Sequence, residues 1–337
     1  MRLNRCPYCG SVYFTICVPC VDPGLAGLVS PVVSVMANGQ LVTLVSGADG
    51  YYHGNFLFDT SVVPTISYHL LINGNQYPDS VLIVSKLDQS SGVVYVDKVL
   101  GITSVANGAG FQASFAPSSW VTIFGSNLAT NTRIWRADEI VNGSLPTQLD
   151  GTSVTIDGKP AAVYYISPTQ LNVQAPSDNN SGPVNVQVAN NGLTSASFTA
   201  QLRTVSPAFF LWDGTYAAAT RTDFSLVGKP GLFPNSTTVP AKPGDIIILW
   251  GTGFGATDPP VPSGQVVTGA PALVANPTVT VGGVTARLIS AVLSPGNAGL
   301  YQIAIQIPDS VPDGDLPVVA QVQGVLSPAN VLLTIHQ

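Results

Sequence analysis

Trp120-Val-Thr-Ile-Phe-Gly125, Val154-Thr-Ile-Asp-Gly158 and Leu171-Asn-Val-Gln-Ala-Pro176 are answered, in the same order, by Ile246-Ile-Ile-Leu-Trp-Gly251, Val279-Thr-Val-Gly-Gly283 and Ile303-Ala-Ile-Gln-Ile-Pro308. The copies stand a near-constant distance apart (120 to 246, 154 to 279, 171 to 303), with an insertion near Ser294-Pro-Gly-Asn-Ala-Gly299. Self-similarity at a fixed period means one structural unit used twice. Within each copy apolar and polar residues alternate. Leu171, Val173 and Ala175 oppose Asn172 and Gln174; Val184, Val186 and Val188 oppose Asn185 and Gln187; Ile303, Ile305 and Ile307 oppose Ala304 and Gln306. A period of two places one face of a strand in a core and the other toward water. The pattern predicts that Val154, Ile156, Leu171 and Val173 line one core and that Val279, Val281, Ile303 and Ile305 are their equivalents in the next.

Between the alternations stand Asn38-Gly39, Asp49-Gly50, Asn73-Gly74, Asp157-Gly158, Asn191-Gly192 and Asp313-Gly314, dipeptides suited to the positive φ of tight hairpins. Closely spaced turns without helical stretches predict an all-β chain of tandem immunoglobulin-like sandwiches preceded by a smaller β-domain. The expected divisions are a Cys-rich segment (1–23), a β-sandwich-like domain (24–103), a first immunoglobulin-like domain (104–206) and a second (207–337). Ser206-Pro207 marks the junction between the last two. Residues 208–243 read as an extended lead-in whose aromatics, Phe209, Phe210, Trp212, Tyr216, Phe224 and Phe233, fill an interdomain groove.

Composition excludes several classes. Of 337 residues 45% are hydrophobic and only 9% charged, so disorder driven by charge is excluded. Glu139 is the single glutamate, which leaves helices without their usual polar cover. A net charge of −6 without a Lys/Arg cluster argues against nucleic acid as a partner. No apolar run reaches the roughly 20 residues of a membrane span. So little charge leaves sheet edges bordered by Ser, Thr, Asn, Gln and Gly. Such edges pair readily, and self-association is expected.

All four cysteines lie at the amino terminus, as Cys6-Pro-Tyr-Cys9 and Cys17-Val-Pro-Cys20. Two such knuckles can complete a tetrahedral structural zinc site; two disulfides or unpaired thiols are the competing readings. Arg2 and Arg5 ahead of the apolar residues 12–21 resemble the start of a secretory signal, but Cys17, Pro19 and Cys20 break it, and no signal peptide is evident.

The block Leu145-Pro-Thr-Gln-Leu-Asp-Gly-Thr-Ser-Val-Thr-Ile-Asp-Gly-Lys-Pro-Ala-Ala-Val-Tyr-Tyr-Ile-Ser-Pro-Thr-Gln-Leu-Asn-Val-Gln-Ala-Pro176 resembles the signature of an uncharacterised carboxy-terminal region of acidobacterial (Solibacter-type) exported proteins. Both repeats also resemble IPT/TIG immunoglobulin-like domains, in which a strand ending in Gly, here Gly125 and Gly251, precedes the first long loop. The resemblance implies an immunoglobulin-like fold and an extracellular or cell-surface location, and no catalytic residues.

The residues offer no familiar catalytic set. His53, His69 and His336 are the only histidines, and neither HExxH nor GxSxG occurs. His336, next to last, reads as a fraying end. Gly251-Thr-Gly-Phe-Gly255 looks like a phosphate loop but lacks a following helix, and reads as a sandwich loop. Two function classes remain: a non-enzymatic structural or adhesive surface protein, pairing with itself or with other surface proteins, and a carbohydrate-binding accessory module. For polysaccharide binding the candidate stacking residues are Trp135, Trp212, Tyr51 and Tyr52.

Overall fold

The computed structural model of the chain describes residues 100–337 and, ahead of them, ten strand segments between residues 2 and 94. The chain divides into two compact units, residues 1–101 and 102–337. In the first unit, Ser11–Ile16 pairs antiparallel with both Arg2–Arg5 and Tyr52–Leu57. A second sheet is built on Val33–Ala37, which pairs with Gln40–Thr43 and Ile66–Ile72. The four cysteines and Tyr51 lie outside the described residues, as does the Tyr52 side chain.

The second unit contains two β-sandwiches. In the first, one sheet runs Gly101–Asn107, Trp120–Ser126, Gln170–Gln174, Ala162–Ile166, Arg133–Ile134 in spatial order. The facing sheet runs Ser114–Phe115, Phe198–Leu202, Gly182–Asn190, Thr152–Ile156, Gln148–Leu149. In the second sandwich, Ile246–Thr252 and Tyr301–Gln306 lie at the centre of a nine-stranded sheet, and Thr278–Val281 pairs with Gly314–Val322 in the facing one.

The repeat holds at the level of register. Val121 pairs with Val173 and Ile123 with Leu171; their repeat-mates Ile247 and Leu249 pair with Ile305 and Ile303. All eight residues expected in the cores are buried. The hairpin after Ile156 turns through Asp157 (φ 50) and Gly158 (φ 73), and the matching hairpin after Val281 through Gly282 (φ 58) and Gly283 (φ 80). Both copies also carry a bulge at the same place. The ladder slips between Val163 and Tyr165 in the first sandwich and between Leu288 and Ser290 in the second, leaving Tyr164 and Ile289 as the extra residues.

Two expectations change. The lead-in does more than fill a groove. Ala208–Phe209, Ala219–Arg221, Leu226–Val227 and Thr238–Val239 join the large sheet of the second sandwich, and Phe209, Ala217, Ala219, Val227 and Ala241 enter its core. Its short apolar residues alternate closely enough to pair, which an aromatic count does not reveal. The sheet edges are of two kinds. Arg133–Ile134, Ser114–Phe115, Gln148–Leu149, Thr238–Val239, Thr257–Asp258, Val284–Thr285 and Val325–Leu326 are two-residue strands, which limit strand addition, whereas Gly101–Asn107, the edge of its sheet, has seven residues. The longer Leu332–Ile335 strand is covered by the lead-in, through Ala217 N to Leu332 O and Ala241 N to Thr334 O. The same pairing holds the carboxy terminus: His336 N donates to Ala241 O and its ring meets Asp313 at 3.1 Å, so this end is tied down, not frayed.

Candidate functional site at the joint of the sandwiches

The two sandwiches meet through a dense set of uncharged hydrogen bonds. Both N–H groups of Trp120 cross the joint: the backbone N donates to Thr252 Oγ1 (3.0 Å) and the indole Nε1 to Ala298 O (2.8 Å). Thr252 Oγ1, fully buried, in turn donates to Gly299 O at 2.9 Å. On one flank Ser177 and Ser263 exchange two bonds, backbone N to Oγ in each direction, at 2.7 and 3.0 Å. On the other, Ser144 and Gln265 form an antiparallel bridge, with Leu145 N donating to Gly264 O and Val266 N to Gly143 O, each at 2.8 Å. Gly264 N also donates to Gln174 Oε1. The approach is close enough to require glycine at Gly299 (φ 59), where a Cβ would lie 2.8 Å from Gln174 Nε2 and from Ser118 O. The Gly251–Gly255 loop belongs to this joint. Gly253 O accepts from Ser206 N, and a Cβ on Gly253 would fall 2.1 Å from Ser206 O.

Two clefts flank the contact. One, of about 560 Å³, is polar; its lining includes Lys159, Asp178, Asn180, Gln174 and Tyr301. The Asp178 carboxyl is held below the usual carboxylate range, chiefly by the Asn180 backbone N–H and then by Lys159 at 2.9 Å.

The other, of about 460 Å³, is aromatic, with Trp120, Trp135, Tyr164 and Phe210 from the first sandwich and the lead-in facing Val266, Asn297, Ala298 and Leu300. The Trp135 and Tyr164 rings pack edge to face at 4.8 Å, and Trp120 packs on Tyr164 at 5.7 Å and on Trp135 at 6.0 Å. Tyr164 reaches the cleft because it is the bulged residue. An extra residue re-aims its side chain out of strict alternation. Its carbonyl accepts from Trp135 N at 2.9 Å, which fixes the segment carrying Trp135. Asn172 stands on the outward face of its strand, where Asn172 Oδ1 accepts from Thr122 Oγ1 (3.2 Å) and Gln170 Nε2 (2.9 Å). With the oxygen doubly engaged, the amide N–H₂ is the free end.

The Trp135 segment is strapped by charge. Arg133 makes bidentate bonds to Asp150 (2.7 and 2.7 Å) and to Glu139 (2.8 and 2.9 Å), and Arg136 N donates to Glu139 Oε2 at 2.7 Å. The Arg133 guanidinium, with the Arg136 backbone N–H second, lowers the Glu139 carboxyl to about 2. Arg133 and then Asn131 hold Asp150 well below the ordinary range.

Residues 111–204 match the IPT/TIG domain. That span covers the Trp120–Ser126 strand, the Trp135 segment, Tyr164 and Asn172. A search of characterised proteins returns no match. Among solved structures, the chain is similar to the surface glycan-binding protein SGBP-B of the Bacteroides ovatus mixed-linkage glucan utilization locus, seen with a mixed-linkage heptasaccharide (12% identity, 92% of this chain and 61% of that one, TM-score 0.32). It is also similar to the plexin A4 extracellular region (12% identity, 97% and 32%, TM-score 0.22) and to the I9–I11 tandem of titin (10% identity, 97% and 93%, TM-score 0.17). The chain spans less than two thirds of the first two.

Of the residues singled out for stacking, Trp135 lies in the aromatic cleft. Trp212 does not: it packs edge-on against Phe233 at 5.6 Å and donates Nε1 to Val227 O. They share no ring contact. Missed from sequence were Trp120, Tyr164, Asn172 and Asn297. The doubled Tyr164-Tyr165 inside an otherwise alternating strand is the one local sign of the bulge.

Proposed function

We propose that the chain is a non-enzymatic structural module of an extracellular or cell-surface protein, in which the two sandwiches serve as one stiff body. The observation that carries this is the joint: Trp120, Thr252 and Gln174 bind the sandwiches through buried or half-buried hydrogen bonds, with an exposed Ser177–Ser263 pair beside them, not through a linker. Domains joined by a flexible linker move by default, and a large, well-bonded contact removes that freedom. Extracellular placement is supported by the IPT/TIG match over residues 111–204. Adhesion to other surface proteins would use this rigid body as a spacer.

Hydrogen exchange on the full chain tests the stiffness. The amides of Trp120, Leu145, Ser177, Ser263 and Val266 are expected to exchange as slowly as those of the core strands. Exchange at these amides ahead of the cores would overturn it. Protease shaving of intact source cells tests the location; protection of the chain refutes it. A second reading, a carbohydrate-binding accessory module, is favoured by one specific observation, the aromatic cleft with Trp135 in its wall.

A further inference from the structure

We propose that the aromatic cleft binds one neutral pyranose ring, free or as the end unit of a chain, held by Trp135, Tyr164, Asn172 and Asn297. This rests on the carbohydrate-binding reading and names its site and ligand class. A volume of about 460 Å³ falls within the range of small-molecule sites. No lining residue is charged, which gives phosphate, carboxylate or ammonium groups no counter-ion. The walls are aromatic, suited to the apolar C–H face of a sugar.

The polar groups complete the match. Trp120 is spent, its indole N–H bound to Ala298 O. The Tyr164 ring and the Trp135 indole line the cleft, and neither the Tyr164 hydroxyl nor the Trp135 N–H is among the buried polar atoms left without a partner, so neither carries a buried polar penalty before a ligand enters. Asn172 offers its amide N–H₂, its oxygen being occupied. Asn297 offers the reverse, since its Nδ2 already donates to Ser294 Oγ and Pro295 O, leaving Oδ1 as acceptor. Donors and acceptors standing beside aromatic walls suit hydroxyl groups, each of which both donates and accepts. A purely apolar ligand would bury them unpaired.

The duplication indicates that this arrangement is not a demand of the fold. The second sandwich makes the same bulge with Ile289, which is 43% exposed and lines neither cleft. A structural bulge is met by isoleucine. Only in the first copy does it carry a phenol, and there it faces Trp135.

The test is titration of the full chain with glucose, galactose and mannose, with cellobiose and maltose, and with glucuronate, followed by tryptophan emission and saturation-transfer NMR. At least one neutral sugar is expected to bind saturably and glucuronate to bind far more weakly. Binding of the monosaccharide alone identifies a free sugar; binding of its disaccharides as well identifies a chain end, and both support the site. Tyr164→Phe, which keeps the ring packing, is expected to weaken binding by about tenfold, the upper range for one lost hydrogen bond. Trp135→Ala should abolish binding, and Ile289→Ala should leave it unchanged. No saturable binding of any of these sugars, or binding undiminished in both Tyr164→Phe and Trp135→Ala, overturns the proposal. Hydrogen exchange at the joint is read without sugar, so failure of this site and failure of the stiff-body reading are separate results.

Discussion

Thr252→Val is the sharpest probe of the joint, because it removes one oxygen and almost no volume. Thr252 Oγ1 accepts from Trp120 N at 3.0 Å and donates to Gly299 O at 2.9 Å, and Thr252 has no solvent exposure. Valine keeps the branched shape that the Ile246–Thr252 strand packs, so no cavity contributes. What remains is one donor and one acceptor stranded in the contact, at about 1–3 kcal/mol each, or roughly 2–6 kcal/mol together. For a cooperative unit of this size about 1 kcal/mol moves the melting temperature by roughly 2–4 °C, so a fall of about 8–16 °C is expected at the middle of that range. Calorimetry of the full chain reads it, with Thr252→Ser as the control that retains the hydroxyl. The reasoning fails if Thr252→Val melts within about 2 °C of the parent. That result would mean the joint opens enough for water to take both groups, and the sandwiches would then not be one body.

Ile305→Ala should destabilise the second sandwich by about 2–5 kcal/mol, checked by the denaturation midpoint, since Ile305 is fully buried and pairs with Ile247 at the sheet centre. Acid should release the Trp135 segment. The Glu139 carboxyl is lowered from 4.5 to about 2 and Asp150 is also lowered, so their contribution is complete above about pH 4.5 and is lost as pH falls toward 2. Trp135 emission should change over that window, and a flat trace to pH 2 contradicts the strap. Sedimentation across a hundredfold concentration range should show concentration-dependent growth, because the seven-residue Gly101–Asn107 strand stands at the edge of its sheet; a single monomeric species throughout would refute self-association.

What could be read from the sequence followed from periodicity. Val154, Ile156, Leu171 and Val173 and their repeat-mates sit where alternation of period two puts them, and the shared register of Ile123 with Leu171 and Leu249 with Ile303 follows from the repeat. The site was hidden for the opposite reason. Tyr164 enters the cleft only because a bulge breaks the period, and Trp120 and Ala298 are 178 residues apart, brought together by the packing of two sandwiches. Only the doubled Tyr164-Tyr165 hints at the first, and nothing local marks the second. Trp212 reads in the sequence both as groove filling and as a stacking candidate; its N–H is taken by the Val227 carbonyl and its ring packs edge-on against Phe233, outside the aromatic cleft.

The scarcity of charge, which suggested sticky edges, has a different use in the folded chain. Bringing two sandwiches into close contact removes surface from water, and every ion pair in that surface would carry a desolvation cost that can exceed its Coulomb attraction. The cross-joint bonds are instead amide, hydroxyl and indole groups, which lose less on burial and recover it by pairing with one another. Charge stands apart from these bonds, at Arg133, Glu139 and Asp150 on the rim segment and at the Lys159–Asp178 pair, whose carboxylate is buried beside the other cleft. A chain with 9% charged residues can therefore weld two sandwiches with neutral groups and still place ion pairs on the Trp135 segment and, through Lys159–Asp178, Arg221–Asp245 and Lys229–Asp315, elsewhere. The same economy leaves the aromatic cleft without a charge in its lining. That makes neutrality the property by which it would select a ligand.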